Sequence, residues 1–194
     1  MEGLLESFIT LLVIMNPFAS LPLFISLTKG TPSIEIRKIY KRCIFVAGII
    51  LFVFLLFGIS IFNFIGISIN SFQIAGGILL LIIGITYILG ISSKYFGHHD
   101  EDLSVPIATP LLTGPGVITA TILLVNQFGI LVTSIAAFLT LFVTWIVLLN
   151  SIRLYKVLGK HWTTIISRVM GLIIAAYAVE LMFEGILNTI GSLL

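Results

Sequence analysis

Two proline pairs, each placed inside a long apolar segment, are the residues of this chain best suited to form a binding site. The first pair lies in the run NPFASLP at residues 16–22, and the second lies in the run TPLLTGP at residues 109–115. Both runs fit the pattern Asn/Thr-Pro-x-x-Ser/Thr-x-Pro, and they are 93 positions apart in a chain of 194 residues. A proline inside a helix removes a backbone donor and clashes with the preceding turn, which costs ~3 kcal/mol or more. We therefore expect each run to break its helix.

A broken helix within a membrane offers backbone groups to a ligand. Open backbone is tolerated in hydrocarbon only where protein buries it or where it lines a wet cavity. Matching breaks in the two halves of a chain indicate a transport site near the membrane midplane. We expect Ser20 and Thr113 to act as N-caps for helices that resume at Leu21 and Gly114. The free N–H groups at each restart are suited to a carboxylate.

The half-helices that end at Met15 and Ala108 present free carbonyl groups instead, and these can hold an ammonium group or a cation. Gly114 and Gly116 have no side chain, so a ligand can approach the backbone there. The sequence therefore predicts a site for a small zwitterion, and the alternative is a pair of packing kinks without a ligand. The predicted binding residues are Asn16, Pro17, Ala19, Ser20, Leu21, Thr109, Thr113, Gly114 and Gly116.

Composition predicts that these motifs lie in membrane helices. The mean hydropathy is +1.23 and 9% of residues are charged, against about 25% in soluble domains. Apolar stretches of ~20 residues can cross the ~30 Å hydrocarbon core. Six such segments occur, at about 4–28, 41–62, 72–91, 105–126, 130–150 and 168–190. We predict an all-α membrane protein with six transmembrane helices, the first and fourth broken at the proline motifs.

The basic residues set the predicted orientation. All ten Lys and Arg fall in three connections, at residues 29–42, at residue 94 and at residues 153–168. The positive-inside rule places these connections in the cytoplasm and both termini outside the cell membrane. Glu2 and Glu6 give the chain an acidic start, so we expect no cleaved signal peptide.

Three helices in each half imply that the halves enter the membrane from opposite sides. Residues 1–194 then form a single transmembrane domain, with repeat one at about 1–91, a cytoplasmic loop at about 92–104 and repeat two at about 105–194. A second similarity, between IAGGIL at 74–79 and VMGLII at 169–174, has an offset of 95. We therefore predict two inverted repeats. Small residues at Gly77, Gly84 and the Gly171-x-x-x-Ala175 run offer faces for close helix packing.

One carboxyl lies deep in the sixth segment. Glu180 is about twelve residues into it, or ~18 Å at 1.5 Å per residue, which places it at or just beyond the midplane. Ionisable residues are costly inside a membrane and are often functional. Glu180 is thus a candidate residue for coupling transport to protons, and the alternative is a carboxyl that holds helices together.

Together these motifs resemble the MarC family, which is also called the small neutral amino acid transporter family. The similarity rests on NPFASLPLF at 16–24, GIS at 58–60, FQIAGGIL at 72–79 and TPLLTGPG at 109–116. Ala19 stands where that family usually has a glycine. The resemblance implies six helices and transport of glycine-like and alanine-like amino acids in some members.

We therefore predict a secondary transporter of small neutral amino acids (glycine, alanine and serine), coupled to protons or sodium, with alternating access to a midplane site. The alternative is a channel, or an exporter of another small solute. We expect no enzyme, because His98, His99 and His161 all lie in loops and no nucleophile or metalloprotease motif occurs. No cofactor, metal or nucleic acid is expected, and the oligomeric state is left open. The expected partners are a small zwitterionic amino acid, the lipid bilayer and a coupling proton or sodium ion.

Overall fold

Helices make up the computed structural model of the protein, which describes residues 2–18, 20–21, 33–90 and 112–191. No strand occurs in these ranges. Residues 17, 18, 20 and 21 are also helical. Five longer helices lie in the described ranges: α1 (Glu2–Met15), α2 (Ser33–Ile65), α3 (Ile69–Leu89), α4 (Pro115–Leu149) and α5 (Ser151–Gly191). The predicted all-α class is confirmed.

Four stretches are long and apolar enough to cross a membrane. They are Glu35–Ile65, Ile69–Leu89, Gly116–Leu149 and His161–Gly191. Large apolar side chains cover their outer surfaces, with Phe64 93% exposed and Leu131 80% exposed. Such a surface is stable against lipid chains rather than water. The protein is therefore a multi-pass membrane protein, as predicted.

Two glycines turn the longest helices. Gly129 in α4 has φ 82° and ψ 165°, and Gly159 in α5 has φ 70° and ψ 171°. Backbone of this kind is essentially restricted to glycine because a Cβ would clash. Gly129 thus divides α4 into a first arm (residues 115–128) and a second arm (residues 130–149).

The two arms of α4 form a hairpin. Ile14 lies beside Gly116 at the start of the first arm, and the adjacent Met15 accepts a hydrogen bond from Thr144 in the second arm. A straight helix would separate residues 116 and 144 by ~42 Å at 1.5 Å per residue. Because both contact neighbouring residues of α1, the chain must reverse at Gly129. The second arm corresponds to the segment predicted at 130–150.

The first arm of α4 is the centre of the bundle. Nearly every described side chain from residue 112 to residue 125 is buried, with Ile118 half-buried. It packs against α1 through Phe128 and Gly3, against α2 through Ile122, and against α3 through Thr119. A helix that is apolar around its whole circumference is stable only when other helices surround it.

A seam of small residues joins α3 to α5. A Cβ on Gly77 would lie 2.8 Å from the Ala178 carbonyl oxygen, and a Cβ on Gly84 would lie 2.7 Å from the Gly171 carbonyl oxygen. Only glycine lets the two backbones come so close. The small faces predicted on these two segments therefore pack against each other.

Candidate functional site

The first proline motif contains a change of direction at Asn16. α1 ends at Met15, and Asn16 has φ 40°, the one positive φ among the described non-glycine residues. Asn16 still donates its amide to the Leu12 carbonyl at 3.0 Å, and it is 1% exposed. Asparagine is among the few residues enriched at positive φ. Helix resumes at Pro17, because residues 17 and 18 are helical.

The predicted N-cap role of Ser20 is wrong. Helix is already present at residues 17 and 18, and the Ser20 hydroxyl donates to the Asn16 carbonyl at 3.4 Å. A hydroxyl bonded to the carbonyl four residues earlier lies inside a helix, not at its start. Proline favours the first helical position because its fixed φ suits the helix and it has no N–H to satisfy, so Pro17 fits that position. Ser20 and Leu21 are fully buried, and Ala19 lies outside the described residues.

In the second motif the cap is Gly114, not the predicted Thr113. Gly114 has φ −65° and ψ 173°, and the helix begins at Pro115 rather than at Gly114. The amides of Val117 and Ile118 donate to the Gly114 carbonyl at 3.0 and 3.2 Å. The reason is again the proline, since its ring forces the preceding residue out of the helical region. Thr113 is 1% exposed beside the cap, and Thr109 lies outside the described residues.

Gly116 serves packing rather than the approach of a ligand. A Cβ there would lie 2.7 Å from Leu80 Cδ2, 3.1 Å from Ile83 Cδ1 and 3.6 Å from Ile14 Cγ2. The missing side chain therefore makes room for apolar groups of α3 and α1. The expectation that it opens the backbone to a ligand is corrected accordingly.

The two motifs lie next to each other in the bundle. Ile14, two residues before Asn16, contacts the Gly116 position, two residues after Gly114. The Thr144 hydroxyl also lies 3.2 Å from Met15 Sδ, at the end of α1. The structure thus brings the end of α1 to the start of the first arm of α4. The predicted residues that it describes are all buried: Asn16, Pro17, Ser20, Leu21, Thr113, Gly114 and Gly116.

Two helix ends of opposite polarity meet at this point. α1 and the first arm of α4 are antiparallel, because Gly3 lies beside Phe128 while Ile14 lies beside Gly116. The carbonyl end of α1 therefore lies at the level of the N–H end of the arm. Helix ends carry roughly half a unit charge, negative at the carbonyl end and positive at the N–H end. Opposite ends of two helix dipoles therefore lie side by side.

Glu180 is not among these residues. It is exposed on the surface of α5. The carboxylate that reaches another described polar side chain is Glu184, one turn further along α5, where Gln73 Nε2 donates to Glu184 Oε2 at 3.5 Å. The role of Glu180 in coupling stays a prediction.

Sequence reasoning missed the contact between Met15 and Thr144, since nothing in the sequence pairs positions so far apart. It also gave no role to Gly129. The signal there is a glycine between two apolar segments in a connection too short for an ordinary loop.

The profile of a known family matches almost the whole chain. It is described as "MarC family integral membrane protein", and it covers residues 1–190. The chain belongs to the MarC family. This confirms the resemblance found in the motifs.

Several MarC-family relatives are similar over nearly their full length. A UPF0056 membrane protein of Methanocaldococcus jannaschii is 36% identical over 194 residues, which cover 93% of this chain and 94% of the relative. A UPF0056 membrane protein of Archaeoglobus fulgidus is 35% identical, with 96% and 93% covered. The UPF0056 inner membrane protein YhgN of Escherichia coli is 32% identical, with 96% and 97% covered. No solved structure matches the chain.

Proposed function

We propose that this MarC-family protein is a secondary transporter of small neutral amino acids, with glycine, alanine and serine as substrates. The observation that carries the proposal is the pair of opposed helix ends, where the carbonyl end of α1 meets the N–H end of the first arm of α4. Two helix ends of opposite partial charge, buried side by side, favour a ligand that carries one positive and one negative group.

The pairing of charges fits a zwitterion. The carboxylate of an amino acid would lie at the positive end of the dipole of the first arm of α4, and the ammonium group would lie at the negative end of the dipole of α1. Ser20 and Thr113 are both buried in the two motifs, and we expect their hydroxyls to contact the same ligand. An uncharged solute would use neither dipole.

The surroundings favour a small side chain. Ile14, Leu21 and Leu112 are buried next to the two breaks, at 5%, 0% and 0% exposure. The space that a side chain at Gly116 would take is already occupied by Leu80 and Ile83. Interiors this close-packed resist the entry of extra methylene groups. Leucine, phenylalanine and lysine are therefore expected to be poor substrates.

Contacts between α3 and α5 support the inverted repeat on which alternating access depends. A Cβ on Gly77 would lie 2.8 Å from the Ala178 carbonyl, and a Cβ on Gly171 would lie 2.8 Å from the Gly84 carbonyl. Gly77 and Gly171 are 94 positions apart, and so are Gly84 and Ala178. The proline motifs are 93 positions apart. A shift of 94 positions therefore exchanges the closest contacts of the seam, and it differs by one position from the shift that relates the two motifs.

Alternating access about that symmetry, driven by a proton or sodium gradient, completes the proposed mechanism. The helices would lie in the cell membrane with both termini outside. The chain would act as a transporter rather than as an enzyme.

Transport by purified protein in proteoliposomes tests the proposal. Radiolabelled glycine should accumulate with saturation and should show counterflow, and alanine and serine should compete while leucine, phenylalanine and lysine should not. In separate experiments, a proton gradient or a sodium gradient is imposed across the vesicle membrane. Uptake that never saturates and shows no counterflow would indicate a channel, and equal competition by leucine would contradict the small site.

A matched pair of variants tests whether transport depends on the two helix breaks. Thr113→Ala should raise the glycine KM roughly fivefold, which corresponds to the loss of one hydrogen bond of about 1 kcal/mol. Thr140→Ala is the control, because Thr140 is equally buried but lies in the second arm of α4, outside the two proline motifs. Equal KM values for the two variants would place the substrate elsewhere.

A further inference from the structure

A polar cavity lies at the end of the first arm of α4 that is away from the proline motifs. Its volume is about 350 Å³, and most of its lining is polar. Its lining side chains come from α3, from α4 and from α5. They are Gln73, Leu123, Asn126, Gln127, Tyr177, Leu181, Glu184 and Asn188. A cavity with one carboxylate, four amides and a phenol differs from the apolar outer surfaces of the membrane helices.

Negative charge dominates this cavity. Glu184 lines it, and Glu6 and Glu184 both lie close enough to Tyr177 to interact with it electrostatically. None of the lining side chains is basic, and all ten Lys and Arg of the chain lie at residues 29–42, at residue 94 or at residues 153–168. The described ones belong to the opposite end of the bundle, since Arg168 lies near Gly90 at the end of α3 whereas Gln73 lies near its start.

The backbone adds to this negative potential. The first arm of α4 ends at Gly129. Asn126 and Gln127, which line the cavity, therefore lie in the last turn of the arm, at its carbonyl end. The carbonyl end of a helix favours a cation. The Gln73 side-chain oxygen is also buried there, with no hydrogen-bond partner among the described residues. Its amide nitrogen reaches Glu184 only at 3.5 Å, which leaves the carboxylate available for a stronger contact.

Packing holds these groups in place. A Cβ on Gly185 would lie 2.9 Å from the Asn70 carbonyl and 3.1 Å from Gln73 Cβ, so α3 and α5 are in close contact beside the carboxylate. This contact holds the backbone positions that carry Gln73 and Glu184 close together.

We propose that this cavity binds a monovalent cation, through the Glu184 carboxylate, the Gln73 side-chain oxygen and the neighbouring amide and phenol oxygens. Two sources share this chemistry: a sodium ion, or the ammonium group of an amino acid that waits at the entrance. Oxygen ligands with a single carboxylate suit either one. The site is separate from the zwitterion site, and cation binding can be measured without transport.

Thermal unfolding of the purified protein in detergent tests the proposal. Sodium chloride and methylammonium chloride are each compared with N-methyl-D-glucamine chloride at constant ionic strength. A bound cation stabilises the folded protein by mass action. The midpoint Tm is expected to rise by about 2–4 °C with sodium or with methylammonium, and the cation that acts identifies the source. If neither cation raises Tm above the value measured in N-methyl-D-glucamine chloride, the proposal is wrong.

Variants assign the effect to this cavity. Glu184→Gln should reduce cation affinity roughly tenfold or more, the usual size of losing one charge contact. Gln73→Leu should weaken it, and Glu184→Asp, which keeps the charge, should retain it. Glu180→Gln is the matched control, because Glu180 is a neighbouring carboxylate of α5 that does not line the cavity. An equal loss in Glu180→Gln and Glu184→Gln would contradict the assignment.

Glycine uptake by the same variants separates this inference from the proposed function. Loss of the cation effect in Glu184→Gln with intact glycine transport would support a cation site that transport does not need. A wild-type protein that shows the cation effect but transports no amino acid would contradict the proposed function and support this inference. If Glu184→Gln does not fold, Gln73→Leu decides the assignment, and an unchanged cation affinity in that variant would overturn it.

Discussion

At Asn16 the backbone and the side chain have separable roles. The residue has φ 40° and is almost completely buried between α1 and the helical residues that follow Pro17. A non-glycine residue in a sparsely populated region costs about 1–3 kcal/mol unless its surroundings fix it. Asparagine lowers that cost and adds an amide at the proposed substrate site.

We expect Asn16→Gly to fold as well as the wild type and to transport poorly. Glycine accepts the positive φ without strain, but it removes the amide. Asn16→Val should lose stability as well, because a β-branched residue is a true outlier at positive φ. Detergent Tm and glycine uptake, measured on both variants, distinguish the two roles. Full transport by Asn16→Gly would mean that only the backbone turn matters.

At Gly116 a substitution tests packing rather than ligand access. Gly116→Ala should lower stability by about 1–3 kcal/mol, the usual cost of overpacking, because the new Cβ would meet Leu80 Cδ2 at 2.7 Å. Leu80→Ala, combined with it, should recover part of that loss. A double-mutant cycle on thermal unfolding measures the coupling. Strictly additive effects would show that the two positions do not compete for space.

The helix boundaries show how far the sequence could predict these elements. The end of α1 at Met15 and the small faces of α3 and α5 follow from local rules on proline and glycine. The N-caps were misplaced because Ser20 and Thr113 are good cap residues by type, while the adjacent prolines decide where helix begins. The meeting of Met15 with Thr144, and of Gln73 with Glu184, depends on tertiary packing that no local pattern contains.

At the scale of the helices, the seam between α3 and α5 tolerates no added side chain. A Cβ on Gly84 or on Gly171 would lie within 2.7–2.8 Å of the other residue's carbonyl oxygen, and backbone cannot move aside as a flexible side chain can. Gly84→Val and Gly171→Val should therefore lower Tm strongly and lower the yield of folded protein. Gly191→Ala is the control, since nothing lies within 4 Å of its Cβ position. Wild-type Tm in both seam variants would contradict the close contact.

The hairpin of α4 depends on one residue. Gly129 has φ 82° and ψ 165°, a region that other residues avoid, at a cost of about 1–3 kcal/mol. Nothing lies within 4 Å of its Cβ position, so steric crowding by neighbours plays no part. Gly129→Ala should lower stability by that amount through backbone strain alone. An unchanged unfolding midpoint would show that the turn can rearrange without cost.

For the whole molecule, charge asymmetry and the repeat argument lead to the same arrangement. All ten basic residues lie on one side of the predicted topology, while Glu2, Glu6, Glu180 and Glu184 belong to segments that end on the other. Two halves related by inversion must place both termini on one face. The polar cavity at Glu184 would then open outward, toward the side from which a gradient cation or a substrate arrives.

Cysteine labelling in intact cells tests this orientation. Cys43 is the one cysteine of the chain and is buried, so Cys43→Ala provides a cysteine-free background with little disturbance. Ser71→Cys and Gln127→Cys should react with a membrane-impermeant maleimide from outside, since both residues are exposed at the end away from the basic residues. Lys38→Cys and Lys156→Cys, also exposed, should react only after the cells are permeabilised. The reverse pattern would invert the topology, and a mixed pattern within either pair would contradict the inverted repeat itself.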